Sequence, residues 1–114
     1  MDYQTARQFL IHQGTNTDPS SNTFLIALKQ RKAPIPGQVT NILVSLKIVF
    51  EVLQSASTLD KELVYSLYLL SFDSREHFDV GCREGVSWPP LLNEDIQRIS
   101  EAVKSIFSGV WKSP

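Results

Sequence analysis

The sequence predicts an all-α protein, a compact bundle of four to five helices. Apolar residues recur three and four positions apart in five segments, and prolines and glycines separate these segments. No segment alternates apolar and polar residues with the period of a β-strand. With 114 residues, 42% of them hydrophobic, the chain suits a single domain over residues 1–114 with one core.

The first two helices are predicted over residues 3–13 and 18–32. The first ends before Gly14, which accepts the left-handed conformation common at helix ends. The second begins at an aspartate that serves as N-cap, followed by a proline at the first helical position. Two prolines in residues 33–37 disfavour the helical conformation before them, which predicts an extended connector.

The next two helices, residues 38–55 and 59–72, are apolar around most of their circumference. We expect Thr58 to cap the second of them. Because the loop between them is short, we predict that they form a central antiparallel hairpin. The helical pattern continues past Ser71 toward Cys82, so the end of the second helix stays open.

A rigid segment at Ser87–Pro90, with tryptophan before two prolines, leads to the last predicted helix. Asn93 is the expected N-cap, and two acidic residues follow it, where they favour a helix N-terminus. One side of this helix carries a clean apolar stripe, formed by Ile96, Ile99, Val103, Ile106 and Val110, with Phe107 beside it.

Charge and composition exclude several classes of protein. A net charge of −1 and a pI near 6.1 are far from the basic balance of a nucleic-acid binder. The longest uncharged stretch, residues 33–46, contains two prolines and is too short to cross a membrane. One cysteine, Cys82, cannot form an intrachain disulfide, and residues 1–4 do not open a secretory signal. We therefore expect a cytoplasmic protein.

Four stretches carry a family resemblance: MDYQTAR at residues 1–7, PGQV at 36–39, LD and EL within 59–63, and WPPLL followed by ED within 88–95. In these stretches the chain resembles a small cyanobacterial family of similar length without an established function. The resemblance implies a helical, cytoplasmic protein.

Members of that family are sometimes labelled dethiobiotin synthetase, a label that we reject for this chain. That enzyme holds ATP with the P-loop pattern G-x-x-x-x-G-K-[ST], whose backbone amides bind phosphate at a helix start. No glycine of this sequence is followed by lysine, and no strands are predicted to mount such a loop. We predict neither a cofactor nor a catalytic residue.

Two alternatives stay open at the level of the sequence. Residues 73–82 concentrate groups that could serve a small enzyme or ligand-binding domain, namely Asp73, Glu76, His77, Asp79 and Cys82. Neither H-E-x-x-H nor a pair of C-x-x-C motifs is present, and a solvated helix end explains the same residues. A nucleic-acid accessory subunit would instead gather Lys29, Arg31 and Lys32 with Arg7 or Lys47 on one face.

The leading hypothesis is a non-catalytic interaction or regulatory module. The two central helices carry more apolar surface than the other helices are expected to cover, so we predict an exposed patch of Tyr65, Tyr68 and Phe72. Trp88 is either a second partner anchor or a plug that closes the core. The predicted partner is a second copy, giving a homodimer, or a larger cytoplasmic protein.

Overall fold

The computed structural model describes residues 1–111 and shows an all-helical bundle, with no strand among those residues. Residues 112–114 of the predicted domain lie outside the described part. The helical segments are α1 (Tyr3–Thr15), α2 (Phe24–Lys29), α3 (Gln38–Leu53), α4 (Lys61–Tyr68), α5 (Ser74–Arg83) and α6 (Leu92–Ser108). A π-helical segment, Leu69–Asp73, joins α4 to α5 without a break. Residues 61–83 therefore form one long helix, and the bundle contains five helices in the described part of the chain.

The predicted helices are present, but three of their starts differ from the prediction. Helix α2 begins at Phe24, because the side-chain oxygen of Gln13 accepts a hydrogen bond from the Phe24 backbone amide at 2.8 Å. Asp18 instead closes a local turn by accepting the amide of Ser20. The N-cap of α4 is Asp60, not Thr58, and Asn93 lies inside α6, which begins at Leu92.

The predicted central hairpin of residues 38–55 and 59–72 is wrong. Helix α3 packs mainly against α1 and α6, while α4 packs against α1, so α1 lies between the two. Residues 54–60 are long enough to carry the chain past α1.

Close packing between α1 and α4 explains this arrangement. A Cβ added at Gly14 would lie 2.9 Å from the backbone oxygen of Ser66, so only glycine allows the two helices to approach this closely. At the other end of the contact, Arg7 pairs with Asp60 at 2.9 Å and with Glu62 at 3.0 Å. Both contacts join residues distant in the sequence. A prediction based on the short loop between α3 and α4 does not reveal them.

The core is apolar and receives side chains from α1, α2, α3, the long helix and α6. Its largest fully buried members are Leu10, Phe24, Leu28, Ile42, Leu46, Val49, Leu63, Leu67, Leu70, Leu92, Ile96 and Ile99. Gln13 and Gln38 are also buried, and the Gln38 side-chain amide donates to the Gln13 side-chain oxygen at 3.0 Å. This bond joins α1 to the start of α3. Within residues 1–111, no helix combines the length and apolar character needed to cross a bilayer.

Candidate functional site

Three half-exposed aromatic rings lie on the long helix and α6, and we call the surface that they form the aromatic face. Tyr68 and Phe72 lie on the long helix with their rings stacked, the centroids 5.2 Å apart and the planes 10° apart. Phe107 lies on α6. Their exposed fractions are 48%, 53% and 50%. Rings of this size are normally among the more buried side chains of a small domain.

The π-helical segment carries Phe72 and contacts α6 directly. Ser71 donates its hydroxyl to the carbonyl oxygen of Tyr68 at 3.2 Å, within the helix. The carbonyl oxygen of Ser71 accepts from the hydroxyl of Ser100 on α6, at 3.4 Å. Turns of π-helix are rare and occur often at functional sites. Here the segment ties the base of the aromatic face to the neighbouring helix.

Helix α6 runs antiparallel to the long helix, and a groove separates their outer edges. Arg75 donates to the side-chain oxygen of Asn93 at 2.6 Å, and Ser71 accepts from Ser100. Residue numbers therefore increase in opposite directions along the two helices. The groove measures about 500 Å³ and is lined by Ser71, Phe72, Arg75, Glu76, Asp79, Gln97 and Ser100. A shallower depression of about 340 Å³ extends it past Phe72, Val103 and Lys104 to Phe107.

The groove carries opposite charges at its two ends. Glu76, Asp79 and Arg75 line one end, where Arg75 lies 3.9 Å from Asp79 and, within residues 1–111, Glu76 carries the uncompensated negative charge. Lys104 lines the other, beside Phe107. An apolar surface rimmed by charged side chains is typical of a protein contact.

Tyr65, predicted to belong to the same patch, lies in a different cleft. Its side chain is 56% exposed, as predicted. It lines a cleft of about 190 Å³ together with Lys29, Asp73 and His77, between the end of α1, α2 and the long helix. The structure therefore stacks Tyr68 on Phe72, whereas Tyr65 lines a cleft that neither of them lines.

Trp88 is partly buried and packed into the fold. Its indole N–H donates to the carbonyl oxygen of Phe78 at 3.1 Å, and its ring stacks on Phe78 with centroids 5.9 Å apart. A Cβ added at Gly81 would lie 2.5 Å from the indole ring. These contacts favour the plug over the anchor, since the ring closes the space between α5 and the loop that follows it.

The groups in residues 73–82 do not converge on one site. Asp73 and His77 share the cleft of Tyr65, whereas Glu76 and Asp79 line the groove, and Cys82 is exposed. Burial lowers the pKa of His77, an effect that the nearby Asp73 carboxylate opposes, so the neutral imidazole is favoured. Residues 1–111 contain no cluster of three or more histidine, cysteine or acidic side chains arranged to hold a metal ion.

Arg7 does not join Arg31 on a basic face of the kind that a nucleic-acid accessory subunit would require. Arg7 pairs with Asp60 and Glu62 at the start of the long helix, and Arg31 pairs with Glu84 at its end, at 2.8 Å. The long helix spans about 34 Å at 1.5 Å per residue, so these cations are far apart. Lys47 lies on α3, with its ammonium group 4.1 Å from the centre of the Trp111 ring.

Sequence reasoning predicted exposure of Tyr68 and Phe72 and omitted Phe107. Phe107 lies next to the apolar stripe of α6, four residues after the buried Val103. A signal was available, because Phe107 is the one aromatic residue of that helix and falls outside its apolar stripe.

No protein-family model, curated protein or solved structure matches this chain. The resemblance to the small cyanobacterial family stays a prediction.

Proposed function

We propose that this protein is a non-catalytic, cytoplasmic interaction module that binds a protein partner through the groove and the aromatic face. The observation that supports the proposal most strongly is the stacked pair Tyr68–Phe72, half-exposed at the edge of an open groove. Aromatic residues are enriched at protein contacts because they bury a large area at low cost in conformational entropy.

The surroundings of the rings support the same function. The groove is long and open rather than closed around a small molecule, and its rim is charged at both ends. Such an arrangement fits a helix or an extended surface better than a metabolite, which usually occupies a concave site that covers most of its area.

The ligand-binding alternative depends on the cleft of Tyr65, Asp73 and His77. That cleft measures about 190 Å³. Small-molecule sites generally measure roughly 300–1,000 Å³. The cleft is therefore the weaker candidate.

Photo-crosslinking in the native cell tests the proposal. A photoreactive phenylalanine analogue replaces Phe72 in one variant and Tyr65 in a matched control, since both side chains are about half exposed on the same long helix. We expect a discrete crosslinked protein product from position 72 and little from position 65. Absence of a product at position 72, or equal labelling at both positions, would contradict the proposal.

A further inference from the structure

We propose that the occupant of the groove is a second copy of this chain, packed antiparallel about a two-fold axis. This inference rests on the proposed function, because it names the partner of the same surface. Charge is distributed along the groove so that two copies complement each other.

The contact between Ser71 and Ser100 marks a common level on the two helices that form the groove. Glu76 lies five residues beyond Ser71, about 7.5 Å toward one end at 1.5 Å per residue. Lys104 lies four residues beyond Ser100, about 6 Å toward the other end, because α6 runs antiparallel. The two opposite charges are therefore placed at similar distances on either side of one point.

A two-fold axis that lies in the surface at that level and runs across the two helices exchanges the two ends of the groove. It brings Lys104 of each copy to the end of the groove that holds Glu76 of the other, which allows two equivalent ion pairs. Both side chains belong to exposed residues, and neither has an ion-pair partner within residues 1–111. A parallel arrangement would instead set lysine against lysine, so the same charges disfavour it.

Phe72 lies next to the axis and supplies the apolar centre of this interface. Its ring lines both the groove and the shallower depression, so the ring of each copy has an open space in front of it. Tyr68 and Phe107 flank it. Three half-exposed rings contribute on the order of 300 Å² per copy, against about 800 Å² in a standard interface. We therefore expect a weak dimer that forms as the protein concentration rises.

Analytical ultracentrifugation of the full chain, from about 1 to 500 μM, tests this arrangement by charge exchange. We expect Lys104→Glu and Glu76→Lys each to weaken dimerisation at least about tenfold, because each variant creates two like-charge contacts. An equimolar mixture of the two variants is expected to restore the dimer, since both contacts in the mixed pair are attractive. Lys32→Glu and Glu51→Lys are the controls, which make the same charge changes at exposed positions outside the groove.

Phe72→Ala provides a second test that does not depend on charge, and we expect it to abolish the dimer. Circular dichroism verifies the fold of each variant. A monomer over the whole concentration range, or charge variants that dimerise normally or are not restored by mixing, would overturn the inference. If it fails while crosslinks from position 72 reach another protein, the proposed function stands. If position 72 gives no crosslink at all, the proposed function fails as well.

Discussion

Two stacked aromatic pairs involve the long helix, and they have different surroundings. Phe78 and Trp88 stack with centroids 5.9 Å apart, and the indole N–H is bound to a backbone carbonyl. Tyr68 and Phe72 stack at 5.2 Å, and both rings are about half exposed. The first pair joins a loop to the helix, whereas the second joins two neighbouring turns of one helix.

This difference separates an aromatic pair that stabilises the fold from one available for binding. Gly81 leaves room for the Trp88 ring, and a hydrogen bond fixes the orientation of that ring. The Tyr68–Phe72 pair lies instead beside an open groove with opposite charges at its ends. Variants of the first pair should therefore change stability, and variants of the second should change association.

The largest expected effect comes from Trp88→Ala, which removes the ring and its hydrogen bond to the Phe78 carbonyl oxygen. We expect a loss of about 3 kcal/mol in the free energy of unfolding, measured by urea denaturation. Trp88→Phe keeps most of the packing and should cost about 1 kcal/mol, for the lost hydrogen bond. A loss below about 0.5 kcal/mol for Trp88→Ala would show that Trp88 is not a structural plug.

The next effect tests the close contact between α1 and the long helix. Gly14→Ala places a methyl group 2.9 Å from the backbone oxygen of Ser66, so the two helices must separate. We expect a net loss of about 1–2 kcal/mol, because the strain exceeds the gain in helix propensity. Gln8→Ala, at an exposed position of α1, is the control and should change stability by less than about 0.5 kcal/mol. An unchanged or raised stability for Gly14→Ala would contradict this helix packing.

Arg7→Ala removes the ion pairs with Asp60 and Glu62 and should cost at most about 1 kcal/mol at neutral pH, since the two carboxylate side chains are 41% and 63% exposed. Hydrogen bonds from the Arg7 guanidinium and the Leu63 backbone amide hold the pKa of Asp60 below its ordinary value of 3.8. This stabilisation is therefore present above about pH 4 and disappears as Asp60 protonates at lower pH. Denaturation at several pH values measures it, and a difference between wild type and variant that grows on acidification would contradict the assignment.

The smallest effect on stability is expected for Phe72→Ala, although it should abolish self-association. Its ring is half exposed, so we expect a loss of less than about 1 kcal/mol, mainly from the stack with Tyr68. Tyr65→Ala is the matched control and should leave association unchanged. Sedimentation and urea denaturation of the two variants measure both properties. A large loss of stability with association unchanged would show that Phe72, like Trp88, stabilises the fold and does not bind a partner.

Local patterns were sufficient to predict the helices and part of the candidate surface. Apolar periodicity indicated the all-helical fold, and the excess of apolar residues predicted exposure of Tyr68 and Phe72, which the structure confirms. Periodicity says which residues share a face, but it does not say which helix covers that face. For this reason Tyr65 was grouped with Tyr68 and Phe72, although it lies in another cleft.

The remaining features depend on contacts between distant residues. The fit of Gly14 against Ser66 places α1 between α3 and α4, and no local signal marks that glycine as a packing position. The choice between anchor and plug for Trp88 likewise depends on Gly81 and Phe78, whose positions relative to the indole follow from the fold. Phe107 became part of the aromatic face only because α6 packs antiparallel beside the π-helical segment.

Fluorine NMR of the chain labelled at its phenylalanines tests most directly whether a second copy covers the aromatic face. The chain contains six phenylalanines, among them the exposed Phe72 and Phe107, the structural Phe78 and the buried Phe24. We predict that the Phe72 and Phe107 resonances shift as the concentration rises from micromolar to millimolar, while those of Phe78 and Phe24 stay constant. Phe72 and Phe107 resonances that do not depend on concentration would contradict the account.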